Sequence, residues 1–214
     1  MKVLTKTQDV STCVVDSLAA FQAINMNDCS LLLWKRTAIP DIDRELEPLS
    51  DDAFPDVRTH LHADRIASSL ATLITTQGYD TEAAFPNWLA DMTKLAEAFC
   101  RQAQGRRVTA RLETLAHTGC PRFHVDHSYL RLVCTYRGAG TEWLDDDQVD
   151  RVAQRSGAPN EAIVLSGKEN RMPTFAVGLL KGSRYPGAAD GGLVHRSPTP
   201  APGEPVRVLF CLDC

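Results

Sequence analysis

Apolar residues recur at helical intervals through the first half of the chain and at intervals of two through the second. Val14, Val15, Leu18, Phe21 and Ile24 follow a helical period, which predicts a helix over Asp9–Ile24. Leu31-Leu32-Leu33-Trp34 is a short unbroken apolar run and reads as one buried strand over Ser30–Lys35. Pro40, Pro48 and Pro55 then punctuate an acidic stretch expected to be loop. Ile66, Leu70, Leu73 and Ile74 share a helical face, so a helix is expected over Val57–Gln77 with Gly78 as its C-cap. Pro86 suits the first turn of another helix, whose buried stripe is Trp88, Leu89, Met92, Leu95, Ala96 and Phe99.

The period changes after Gly105. Arg107–Ala116 and Tyr129–Tyr136 alternate, and Phe175–Leu180 and Val206–Leu212 are further β-like runs. Asp146–Arg155 reads as one inserted helix ended by Gly157 and Pro159, and Ala162–Leu165 as a short strand. Pro198–Pro205 reads as a loop between strands. The fold class expected is α+β: a double-stranded β-helix (jelly roll) over 106–214, with the mainly helical 1–105 packed on it, in a single domain 1–214.

Composition narrows the functional classes. The chain has 214 residues, 43% hydrophobic and 23% charged, with a net charge of −4. That mild acidity, with no basic stripe, makes nucleic acid an unexpected partner. No apolar run is long enough to span a bilayer, so no membrane association is expected. Met1-Lys2-Val3-Leu4-Thr5-Lys6 has no apolar stretch behind it, so no signal peptide is expected. The seven irregularly spaced cysteines are then read as reduced thiols of a cytoplasmic protein.

One constellation carries chemistry. His124-Val125-Asp126 places a His and an Asp on one face of a strand. His195, from a distant strand, completes two imidazoles and a carboxylate. Such a set covers one face of an octahedral ion and leaves the opposite positions open, as in non-haem Fe(II) oxygenases. Arg207, 12 residues beyond His195, has a planar fork suited to a co-substrate carboxylate. Arg131 and Tyr136 are further candidates to line the pocket with polar tips.

Alternatives stay open at this point. His127 competes with His124 but faces the other way on an ideal strand. Cys120, four residues before His124, makes a Cys/His/Asp zinc set conceivable. Cys211-Leu212-Asp213-Cys214 has the spacing of a redox motif but no following helix to lower a thiol pKa. His60 and His62 are expected at the exposed start of a helix, and Asp145-Asp146-Asp147 suits a helix N-terminal turn. Gly187–Gly192 lacks the ending of a phosphate loop.

The order His-x-Asp, His, Arg in a β-rich half resembles the Fe(II)/2-oxoglutarate dioxygenase superfamily. The resemblance implies His124, Asp126 and His195 as metal ligands, Arg207 as the 2-oxoglutarate anchor, and Fe(II) and 2-oxoglutarate as cofactors. More closely, the chain resembles the bacterial domain of unknown function 1826 family. The residues carrying this are Cys120-Pro121-Arg122-Phe123-His124-Val125-Asp126, Arg131, Thr135-Tyr136-Arg137-Gly138-Ala139-Gly140-Thr141, Leu180-Lys181-Gly182 and Gly192-Leu193-Val194-His195-Arg196-Ser197-Pro198. One departure from the superfamily pattern is Lys181-Gly182-Ser183, which replaces the usual Gly-Asp strand ending before the second His. The expected function is an Fe(II)/2-oxoglutarate-dependent oxygenase acting on an unidentified small molecule or peptide. The alternative is a non-catalytic Zn2+-binding protein of metal homeostasis.

Overall fold

The central strands of this chain are apolar on both faces because both faces are covered. In the computed structural model, which describes residues 11–25, 29–188 and 191–214, the strands are β1 (Thr12–Val15), β2 (Leu31–Trp34), β3 (Val57–Leu61), β4 (Val108–Leu115), β5 (Leu130–Arg137), β6 (Glu142–Leu144), β7 (Asn170–Arg171), β8 (Val177–Lys181), β9 (Val194–Arg196) and β10 (Arg207–Asp213). The α-helices are α1 (Pro40–Leu46), α2 (Ile66–Thr75), α3 (Thr81–Ala84), α4 (Pro86–Gln102), α5 (Arg151–Ser156) and α6 (Asn160–Ile163). Seven strands form the major sheet in the order β1-β2-β8-β5-β10-β4-β3, and β7-β6-β9 form the minor sheet. The fold is α+β, a double-stranded β-helix with helices on the outer face of its major sheet.

Strand parity sorts the side chains between two cores. Leu132, Tyr136, Phe210 and Leu112 point outward and pack with Phe21, Leu70, Trp88 and Phe99 of the helical layer. Leu33, Val133, Leu209 and Cys211 point inward and meet Trp143, Met172 and Leu193 on the minor-sheet side. The inward positions of β4 are Arg111, Glu113 and Leu115, which border the cavity. Its clean alternation is the trace of that one polar face.

The helical layer is fastened to the major sheet by a buried ion pair. Arg36 bonds both oxygens of Asp91 on α4 at 2.7 Å, and Tyr136 Oη donates to Asp91 Oδ2 at 2.7 Å. Arg36 Nε also donates to Phe175 O at 2.7 Å.

The first half holds more β structure than its periodicity predicts. Asp9 and Val10 of the expected helix lie outside the described residues, Thr12–Val15 is a strand, and Leu18–Asn25 is a 3-10 helix. The β-branched Thr12, Val14 and Val15 favour the extended form once β2 offers a parallel partner. Val57–Leu61 pairs with β4 as an edge strand, and the helix begins only at Ile66, so exposed His60 lies on a strand. Pro40, expected in a loop, instead opens α1 at its first turn.

The expected single helix over Asp146–Arg155 is divided. A 3-10 turn over Asp146–Gln148, closed by reciprocal Asp145 and Gln148 capping bonds, precedes α5. Asp150 caps α5 through the Val152 and Ala153 N–H groups, and Gly157 ends it at φ 78°. Ala162–Leu165, expected as a strand, contributes to α6 and to a lone bridge between Val164 and Val149.

Candidate metal centre

His124 and Asp126 were expected on a strand, but the segment makes only one bridge. His124 pairs antiparallel with His195 of β9, each N–H donating to the other's C=O at 3.0 Å. Ser197 N adds a bond to Cys120 O at 2.9 Å. The insertion between β6 and β7 clamps the segment from its other side. Asn160 of α6 accepts from Phe123 N at 2.9 Å and donates to Pro121 O at 3.0 Å. Phe123 itself packs with Leu144, Val149, Ile163 and Val194.

His195 is positioned by a tight glycine approach. Leu193 N donates to Lys181 O at 3.0 Å as the chain enters β9. Gly192 sits at φ +97°, and a Cβ there would lie 2.6 Å from that same carbonyl. Only glycine meets both demands.

The two rings are oriented by backbone carbonyls. His124 Nδ1 lies 2.8 Å from Arg122 O, and His195 Nδ1 lies 3.1 Å from Leu193 O. A carbonyl oxygen only accepts, so each Nδ1 carries a proton and donates. In the neutral rings each Nε2 is therefore a bare lone pair. Those atoms face Asp126, with His124 Nε2 at 3.5 Å from Oδ1 and His195 Nε2 at 3.1 Å from Oδ2. One donor atom from each of the three residues lies within 4.8 Å of the others. Asp126 Oδ2 is buried and, among the described residues, makes no hydrogen bond of good geometry, His195 Nε2 being its nearest polar contact in the cluster. Gathered in this way, the three groups need positive charge between them, either a proton on a ring or a metal ion, and nitrogen and oxygen donors suit a divalent first-row metal.

Burial alone would raise the Asp126 pKa. His195, His124 and Arg131 together outweigh it and hold the carboxyl far below the usual range. Arg131 Nη1 bonds Asp126 Oδ1 at 2.6 Å, and its Nε bonds Asp213 at the end of β10. Arg131 thus borders the cavity with two carboxylates already on its guanidinium.

Arg207 is different. It is 5% exposed, and among the described residues no carboxylate bonds it. Nη2 donates to Thr141 Oγ1 at 2.7 Å and to Thr135 Oγ1 at 3.3 Å. Burial lowers its pKa to about 10, so it remains charged at neutral pH. His124, His195, Arg131 and Arg207 all border one cavity of about 270 Å³.

The expected pocket role of Tyr136 is not met. It is five residues from Arg131 on the same strand, and an odd separation puts the two on opposite faces. Tyr136 is fully buried against Trp88 and Phe175 on the helical side. Cys120 borders the cavity, but its Sγ lies 3.7 Å from His124 Nδ1, the nitrogen turned away from Asp126. Exposed His127 faces Ser183 Oγ at 3.2 Å and is outside the cluster. Thr135, Thr141 and Asp213, which hold the two arginines, were missed from sequence. Strand parity signals Thr135, but Thr141 lies beyond the end of β5 and carries no signal.

A family profile described as a protein of unknown function (DUF1826) matches residues 15–213. The chain belongs to this family. No curated protein matches it. Among solved structures, the dioxygenase for auxin oxidation from rice superposes with a TM-score of 0.52 at 13% identity, covering 94% of this chain and 81% of that one. A bsmA homolog from Methylobium petroleophilum gives 0.49 at 14% identity, covering 94% of this chain and 93% of that one. The truncated T7H of Neurospora crassa gives 0.47 at 12% identity, covering 100% of this chain and 98% of that one. The likeness to the rice protein is one of fold, and it agrees with the double-stranded β-helix of this DUF1826 member. Among the described residues no helix is long and apolar enough to cross a membrane.

Proposed function

We propose that the protein is an Fe(II)/2-oxoglutarate-dependent oxygenase. The observation that carries this is the convergence of donor atoms from His124, Asp126 and His195 beside a cavity that also holds an arginine bonded by no carboxylate among the described residues. His124, Asp126 and His195 would hold Fe(II), and Arg207 would take the far carboxylate of 2-oxoglutarate. The fold shared with a rice dioxygenase supports the reading as far as fold goes. Bound together, Fe(II) and 2-oxoglutarate supply the oxidation of a substrate C–H bond by O2.

The chain's own residues prepare that chemistry. The Arg122 and Leu193 carbonyls fix each imidazole's tautomer and direction. Arg131 occupies Oδ1 of Asp126 and leaves Oδ2 toward the rings. Thr135 and Thr141 orient the Arg207 fork without neutralising it, which keeps its charge for a bidentate carboxylate. A zinc site built from Cys120 gains no support, because that thiol meets the wrong nitrogen of His124.

Anaerobic calorimetric titration of 2-oxoglutarate into the Fe(II)-loaded protein tests this reading. Saturable one-to-one binding is expected, weakened by at least about tenfold in Arg207→Met while the metal is retained. Absence of 2-oxoglutarate binding to metal-loaded wild type would remove the proposal.

A further inference from the structure

The buried arginines of this molecule divide by what they hold. Arg36, Arg131 and Arg196 bond carboxylates at 2.7, 2.6 and 2.7 Å. The Arg111 side chain, about 20% exposed on β4, makes no hydrogen bond among the described residues, and its Nε is a buried donor without a hydrogen-bond partner. Its nearest carboxylate is Glu113, with Nε 3.4 Å from Oε2 and no hydrogen-bond geometry between them. Glu113 is also mostly buried, its side chain 13% exposed, and no donor bonds its carboxylate among the described residues. The two opposite charges are thus mostly buried at the cavity wall, and apart from this loose ion pair they have no charged or hydrogen-bonding partner among the described side chains, which is costly in an ordinary interior. They are suited to a ligand that brings the missing partners.

Their place in the sheet says where that ligand sits. Both border the cavity. The register sets Leu115 opposite Arg207, Glu113 opposite Leu209, and Arg111 opposite Cys211. Asp213, one inward step further along β10, bonds Arg131, which bonds Asp126. The Arg111–Glu113 pair therefore lies between the row of Arg207 and the row that leads to Asp126. Successive inward rows are about 7 Å apart. With Arg207 assigned to the co-substrate, this second charge pair is left for the molecule to be oxidised.

We propose, building on the oxygenase reading, that Arg111 and Glu113 bind the head group of a free α-amino acid substrate. The guanidinium takes the α-carboxylate through its planar fork, and the Glu113 carboxylate takes the α-ammonium. An amino acid carries both groups on one carbon, and the facing atoms of the pair are only 3.4 Å apart. A cavity of about 270 Å³ is below the roughly 300–1,000 Å³ usual for drug-sized ligands, which suits a small metabolite beside the co-substrate.

The test titrates each standard L-amino acid calorimetrically into the metal-free protein, and then into protein loaded with Fe(II) and 2-oxoglutarate without O2. At least one amino acid is expected to bind saturably. Arg111→Met and the isosteric Glu113→Gln should each weaken it by at least about tenfold. Metal and 2-oxoglutarate affinities and the melting temperature of Glu113→Gln should match wild type. The proposal is overturned if no amino acid binds, or if both variants bind as wild type does. It is equally overturned if Arg111→Met weakens 2-oxoglutarate instead, which would make Arg111 the co-substrate anchor. Failure of 2-oxoglutarate to bind wild type would sink the oxygenase reading separately, since the metal-free titration does not depend on it.

Discussion

Arg131 Nη1 lies 2.6 Å from Asp126 Oδ1, while the other oxygen of that carboxylate faces His195 Nε2 at 3.1 Å. The pair divides the work of one carboxyl group between a fixed cation and an open donor. Asp213 holds Arg131 in turn, so the end of β10 determines how the Asp126 side chain lies. Replacing Arg131 with Gln should reduce Fe(II) affinity by about 10- to 100-fold, the range usual for partners of metal-binding side chains. Competition against a chromophoric chelator measures it. Unchanged affinity would limit Arg131 to a packing role.

Gly192→Ala is expected to act on the same centre from the backbone. The added Cβ meets Lys181 O at 2.6 Å in a left-handed conformation that alanine disfavours. The chain must move where it enters β9, and His195 moves with it. Metal affinity should fall with little change in secondary structure by circular dichroism. A variant that binds metal as wild type does would show that His195 is placed independently of this turn.

Tyr136→Phe should cost stability and leave the site intact. It removes the hydroxyl that donates to the buried Asp91 carboxylate, a bond of the charged kind contributing about 1.5–3 kcal/mol. In a chain of this size that lowers the melting temperature by roughly 3–12 °C. Equal 2-oxoglutarate affinity in wild type and variant would confirm that Tyr136 serves the helical face. A selective loss of 2-oxoglutarate binding would contradict its placement.

The thiols should separate by burial. Cys120 is exposed, whereas Cys134 and Cys211 are buried, and desolvation pushes them up to about 11 and about 12. Iodoacetamide at neutral pH should label Cys120 first and reach Cys134 and Cys211 only on unfolding, as peptide mass mapping would show. Cys120→Ser should retain a full equivalent of metal. Loss of zinc from that variant with its fold intact would revive a Cys/His/Asp set.

What could be read from sequence followed from periodicity within single elements. The α4 stripe and the alternation of β4 depend on side chains of one element facing one environment, so both were legible. β1 and β3 were not, because each is short and becomes a strand only through a partner outside its own segment: Thr12–Val15 by lying on Leu31–Trp34, and Val57–Leu61 by lying on Val108–Leu112. The order of His124, Asp126, His195 and Arg207 was visible as residue types. The saturation of Arg131 by Asp213 was not, since 82 residues separate the pair in sequence. Tyr136 was misplaced by neglecting parity, which the alternation of β5 already contained.

The most direct measurement is the visible charge-transfer absorption of the chelated complex, followed while metal-stripped protein is titrated without O2 with Fe(II) and then 2-oxoglutarate. The account predicts a band that saturates at one equivalent of each and is absent in His195→Ala. No band in wild type, with stoichiometric zinc bound in its place, would contradict it.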